Sequence, residues 1–195
     1  MARTNPMRRR RYVLVATLAV LGLGTSLGLS LASAHDGGKG DGRSPVKIKA
    51  QDDCEPNSFN KAIGPGTCVG DGDTTFNEFI DQLIADKAAD DWEFSRTRHT
   101  VKSGRDLLVV NEGGEFHTFS EVAAFTGGCV PQLNDLLGLP AAPECQPTDT
   151  DGTPLVFSTT GIPSGGKLTV SGLGPGVHRF QCLIHPWMHS TITVR

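Results

Sequence analysis

The chain has 195 residues, with 18 basic, 21 acidic and 5 cysteine residues and a formal net charge of −3. The acidic excess is larger without the basic first residues, and such a surface repels nucleic acid and anionic lipid, so neither is expected as a partner. The length allows one cored domain with appendages.

Residues 1–34 read as a secretory signal peptide. Arg3 and Arg8 to Arg11 form a positive start, an apolar run extends from Tyr12 to about Leu31, and Ala32-Ser33-Ala34 is a small-residue cleavage site. Gly22, Gly24 and Gly28 dilute the run, which argues against a retained membrane span. No cysteine follows it that could carry a lipid. Arg9-Arg10-Arg11-Tyr12-Val13 also fits a twin-arginine signal loosely. The segment holds five basic residues and no acid, so its removal leaves 13 basic against 21 acidic residues, a formal charge of −8.

Residues 35–50, beginning "HDGGKGDGRSP", read as a flexible linker. Residues 51–91 read as an N-terminal extension. Cys54 and Cys68 bracket a Gly/Pro-containing loop there, and a helix is predicted from about Phe76 to Ala89. Phe76, Phe79, Ile80, Leu83, Ile84 and Ala88 follow helical spacing, and Thr75 with Glu78 makes a capping box.

From Trp92 the apolar period changes to two. Strands are predicted over Glu93 to Val101 and Asp106 to Asn111, then in "GEFHTFSEV", "PLVFSTTGI", "GGKLTVSGL", "GVHRFQCLI" and "STITVR". Short strands with Gly/Pro turns and no βαβ rhythm predict an all-β antiparallel sandwich or barrel over residues 92–195. An insert at 124–153 interrupts it, with Cys129, Cys145 and at most a helical turn near Leu133 to Leu137.

An oxidising destination favours disulfides, and five cysteines leave one over. Local pairing of Cys54 with Cys68 and of Cys129 with Cys145 closes two loops of similar size and leaves Cys182 free. Cys182 lies in "FQCLIHPWMH", with His185 and Met188. Strand phase puts Gly176, His178, Phe180 and Cys182 on one face, so Cys182 points inward with Phe180. Met1 and Met7 leave with the signal peptide, which makes Met188 the sole methionine of the mature chain. His117, after the Gly113-Gly114 break, can reach the same end of the sheet. His117, Cys182, His185 and Met188 then make a copper ligand set of two imidazoles, one thiolate and a weak axial thioether. Zinc rarely accepts methionine. Glu115 or Glu121 is an alternative carboxylate ligand.

The other histidines read differently. His178 is expected as a hydrogen-bonded structural residue, His99 at the surface, and His189 beside the site or at the surface. His35, at the expected mature terminus, could chelate copper with the terminal amine, but the glycines after it leave such a site unanchored.

The order C-x-x-H-x-x-M after G-x-x-x-F-x-C resembles the copper loop of the cupredoxins, with spacing closest to amicyanin. "TVKSGRDLLVVNEGGEFHTF" resembles the segment that carries their first histidine ligand. The likeness covers about residues 92–195. It implies a Greek-key β-sandwich with one copper ion cycling between Cu(I) and Cu(II) in an electron carrier, and the signal peptide adds the expectation that this carrier is exported, to the periplasm or cell envelope or as a secreted protein. Such a carrier is a monomer, not an enzyme, and meets a redox partner protein transiently. Leu183, Ile184, Pro186 and Trp187 would form the apolar docking patch around His185. A copper-sequestering or delivery protein on the same fold is the alternative. Many cupredoxins have Asn after the first histidine ligand; Thr118 stands there here, so the brace between the ligand loops must be made differently.

Overall fold

The computed structural model describes residues 44–195. The signal segment, His35 and most of the expected linker lie outside the described residues. Two four-stranded sheets face each other, and a two-stranded ribbon lies beside them.

The first sheet has the order β2-β1-β4-β8, with β1 at Val46–Gln51, β2 at Glu93–Phe94, β4 at Leu107–Asn111 and β8 at Lys167–Val170. β1 alternates strictly. Val46, Ile48 and Ala50 are buried, while Lys47 and Lys49 turn outward to Glu112 at 2.8 and 2.7 Å. This corrects the expected linker, because Val46 to Ala50 form an interior strand of the main sheet. Charged Lys47 and Lys49 obscured that pattern in a Gly-rich context.

The second sheet has the order β3-β10-β9-β6, with β3 at Arg98–Val101, β6 at Ser120–Glu121, β9 at Gly176–Gln181 and β10 at His189–Val194. β1 pairs with β4 in parallel, and so does β3 with β10; the other pairs are antiparallel. The sandwich is therefore mixed where an antiparallel one was expected. The strand expected over Glu93 to Val101 is also two strands. Ser95 donates its backbone N–H to Lys49 in the first sheet, and Thr97 accepts from Thr191 in the second. The chain thus changes sheets within three residues, a corner that alternating apolar residues do not mark. The ribbon pairs β5, His117–Thr118, with β7, Gly161–Ile162.

The core between the sheets is aromatic and aliphatic. Phe119 stacks on Phe180 at 4.3 Å and meets Phe94 edge-on at 5.0 Å. Each such buried side chain contributes about 1.5–3 kcal/mol relative to exposure.

Two helices cover one end. α1, Pro56–Ala62, lies inside the loop closed by Cys54–Cys68, and α2 is Phe76–Asp86. The Thr75–Glu78 capping box is present. α2 stops at Lys87, which adopts a left-handed φ of 60°, so the helix is shorter than predicted. Its stripe buries Phe79 and Leu83 but leaves Ile84 outside. The insert holds α3, Pro131–Leu137, two residues longer toward its start than predicted, and is closed by Cys129–Cys145. Both disulfides therefore follow the local pairing, and Cys182 is the free, buried cysteine. Among the described residues, no helix is long and apolar enough to cross a membrane.

Candidate metal centre

β5 and the turn between β9 and β10 bring His117, Cys182 and His185 to one point. Cys182 Sγ lies 3.8 Å from His117 Nδ1 and 3.8 Å from His185 Nδ1, and the two Nδ1 atoms are 3.3 Å apart. A point equidistant from corners so placed is about 2.1 Å from each, which is the range of a bond from imidazole to a first-row metal, about 2.0–2.1 Å for zinc. All three side chains are buried. The donor set and its dimensions fit a single metal ion, and the soft thiolate favours copper.

The turn is held by its own backbone. Cys182 N–H donates to the Met188 carbonyl at 3.1 Å, and Met188 N–H donates to that of His185 at 2.9 Å. The amides of Thr118 and His185 each point at Cys182 Sγ from 3.5 Å. Met188 is buried beside the cluster, packed in the main core.

Thr118 supplies the brace. Its hydroxyl accepts from Leu183 N–H at 2.8 Å, tying the His117 strand to the Cys182 loop. Ser120 Oγ donates to the same oxygen at 3.2 Å.

Carboxylates stand behind both imidazoles. Asp52 Oδ2 lies 2.8 Å from His117 Nε2, with both side chains fully buried. Glu115 Oε2 lies 3.4 Å from His185 Nε2 and accepts the Trp92 indole N–H at 2.6 Å. Glu115 is therefore placed behind a histidine rather than in the donor triangle. Glu121 is taken up by His178, at 2.6 Å, outside the site.

Titration follows from these contacts. Burial opposes ionisation of Cys182, yet hydrogen bonds and attraction from His117 and His185 hold its thiol well below the usual range. Burial would lower His185, but Glu115 and the thiolate push it up to about 10. Burial opposes charge on His117 as well, and Asp52 and Cys182 raise it. Burial would raise Asp52, whereas His117 and the amides of Glu115 and Gly114 lower it.

The expected docking patch is only partly a surface. Leu183 and Pro186 are buried, while Ile184 and Trp187 are half-buried. The insert covers Leu183: Cys129 N–H donates to its carbonyl, and Val122, Ala142 and Cys145 pack with it. Phe79 of α2, together with Trp92 and Trp187, closes over His185, with ring centres 6.3, 6.5 and 5.5 Å from the imidazole. A groove of about 460 Å³ between α2 and α3 reaches His185 and Glu115, lined by Phe76, Ile80, Leu133, Leu136 and Ile184.

Among the described residues, the remaining histidines lie off the centre. His178 bonds Glu121 and the Gly174 carbonyl. His99 is half-buried beside Arg96, and His189 stacks on Phe125 at 4.0 Å. Asp52, Trp92 and the role of Glu115 behind His185 were not legible in the sequence. The Gly113-Gly114 pair was the one available signal, since it marks a close approach.

No protein-family model and no curated protein sequence matches the chain. Solved structures do. A mutant amicyanin in the Cu(I) state is 13% identical, with a TM-score of 0.33 over 53% of this chain and 73% of that one. An oxidised mutant amicyanin is 11% identical, with a TM-score of 0.36 over 84% of this chain and 88% of that one. A purple cupredoxin from Nitrosopumilus maritimus is 14% identical, with a TM-score of 0.36 over 77% of this chain and 99% of that one. Two facing sheets thus carry a buried His-Cys-His cluster at one end, with α1, α2 and the disulfide-closed insert placed around them.

Proposed function

We propose that this chain is an exported protein with one type 1 copper ion, which carries single electrons by cycling between Cu(I) and Cu(II). The observation that carries the reading is the buried triangle of Cys182 Sγ and the Nδ1 atoms of His117 and His185. Met188 is the axial ligand in this reading, supported by its burial and by its backbone bonds within the ligand turn.

Bound copper would supply the one-electron couple. The chain's residues would hold its ligands still. Cys182 and His185 are set by the closed turn and His117 by the β5–β7 ribbon, with Thr118 joining the two. Ligands that cannot rearrange keep one compromise geometry for both oxidation states, which lowers the reorganisation that slows transfer. Buried ligands under an aromatic cover leave no open position for a substrate, which supports a carrier rather than a catalyst. A partner protein would dock, transiently and on the monomer, at the apolar groove that reaches His185. Export is part of the reading. It is supported by the signal-like first 34 residues and by two disulfides.

Cyclic voltammetry of the copper-loaded protein during a chelator challenge tests this function. A reversible one-electron wave that persists in excess chelator is expected. Rapid metal loss with an irreversible response would mark a delivery protein instead.

A further inference from the structure

Both histidines of the cluster turn Nδ1 to the centre and Nε2 to a buried carboxylate. A metal-bound imidazole carries its proton on the other nitrogen. When that nitrogen is buried, it requires an acceptor. Asp52 and Glu115 are acceptors by construction. Asp52 receives the backbone N–H groups of Cys54, Gly114 and Glu115 at 3.3, 3.0 and 3.1 Å. Glu115 receives the Trp92 indole, which can only donate. Among the described residues, no Lys or Arg forms an ion pair with either of them.

We propose that Asp52 and Glu115 are positioning carboxylates, one behind each histidine, that lock both imidazoles Nδ1-inward and bias bound copper toward Cu(II). The inference rests on the copper reading above. Its physical basis is charge. The Cys182 thiolate and the two carboxylates place three negative charges in a closed, buried centre. A monovalent ion leaves two of them uncompensated, and a divalent ion leaves one. Coulomb energies are large where water is excluded, so the divalent state gains more from the carboxylates. Asp52 comes from the end of β1, and Trp92, which orients Glu115, precedes β2. Through Asp52, a segment that reads from sequence as linker and extension therefore helps set the electronic state of the centre.

Glu115→Gln is the decisive variant. An amide oxygen keeps the Trp92 bond and the side-chain shape, and only the charge is lost. In a redox titration of the copper-loaded protein, the potential of Glu115→Gln should rise by at least about 59 mV, a tenfold change in the Cu(II)/Cu(I) affinity ratio for one electron. Asp52→Asn should move the same way; because Asp52 also anchors three amides, a failure of that variant to fold leaves the decision with Glu115→Gln. In the zinc-loaded protein, NMR should find the Nε2 protons of both His117 and His185 protected from exchange. An unchanged or lower potential in Glu115→Gln, with the visible band intact, would overturn the charge bias. Fast exchange of those protons would overturn the locking. A wild-type protein with no visible thiolate-to-copper band would instead overturn the copper reading, and this inference with it.

Discussion

The Asp52 carboxylate stands 2.8 Å from His117 Nε2 although 65 positions separate the two residues. The parallel pairing of β1 with β4 creates this contact. Ala50 lies opposite Asn111, so the chain leaves β1 toward Asp52 just where it leaves β4 toward Gly113. A strand that holds no metal ligand thus sets the orientation of one.

Gly113 is the hinge of that approach. A Cβ there would meet the Asp52 carboxylate at 1.9 Å and the Asp52 backbone nitrogen at 2.7 Å. Gly113→Ala should therefore destabilise the protein by about 1–3 kcal/mol, the usual range for overpacking. Urea unfolding of the metal-free protein measures it. A neutral result would mean that the loop yields without moving Asp52.

Thr118 bridges the ligand loops through its hydroxyl. Thr118→Val removes the acceptor and leaves the buried Leu183 N–H without a partner, at a cost of about 1–3 kcal/mol. Thr118→Ser should restore most of it. Denaturant midpoints of the three proteins give the comparison, and Val and Ser variants that match would refute the brace.

Metal binding should release protons. His185 is raised to about 10, so in the metal-free protein it is charged at neutral pH and must lose that proton before Nδ1 can bind. His117 is raised in the same direction, by Asp52 and Cys182. Affinity should therefore fall as pH is lowered from about 10. Each displaced proton contributes about a factor of ten per pH unit. Calorimetric zinc titrations at pH 8 in buffers of different ionisation enthalpy should show at least one proton released per metal. A buffer-independent enthalpy would contradict this charge state.

Phe79 joins α2 to the centre, with its ring 6.3 Å from His185 and 5.9 Å from Trp187. Phe79→Ala should cost about 3–5 kcal/mol as a buried aromatic truncation. It should also open His185 to solvent, and chelators should then strip bound copper faster than from the unmodified protein. Equal stripping rates would mean that α2 does not close the site.

Ligand residues were legible because their chemistry is rare and local. Cys182, His185 and Met188 lie within seven positions, and the cysteine count isolates Cys182 from the two disulfide pairs. The capping box of Thr75 and Glu78 was legible for the same local reason. Asp52 was not, because nothing in "QDDC" distinguishes a carboxylate that meets a histidine from one in solvent. β1 was hidden by Lys47 and Lys49, whose outward charges resemble a linker until Glu112 is seen beside them. The burial of Leu183 was equally out of reach, since it depends on where a disulfide-closed insert folds back.

The visible absorption spectrum of the Cu(II)-loaded protein, recorded beside that of Cys182→Ser, is the most direct measurement of the copper centre. An intense thiolate-to-copper charge-transfer band is expected in the first and should be absent from the second. A colourless Cu(II) complex, or a band that survives loss of the Cys182 thiol, would contradict a copper site built on Cys182.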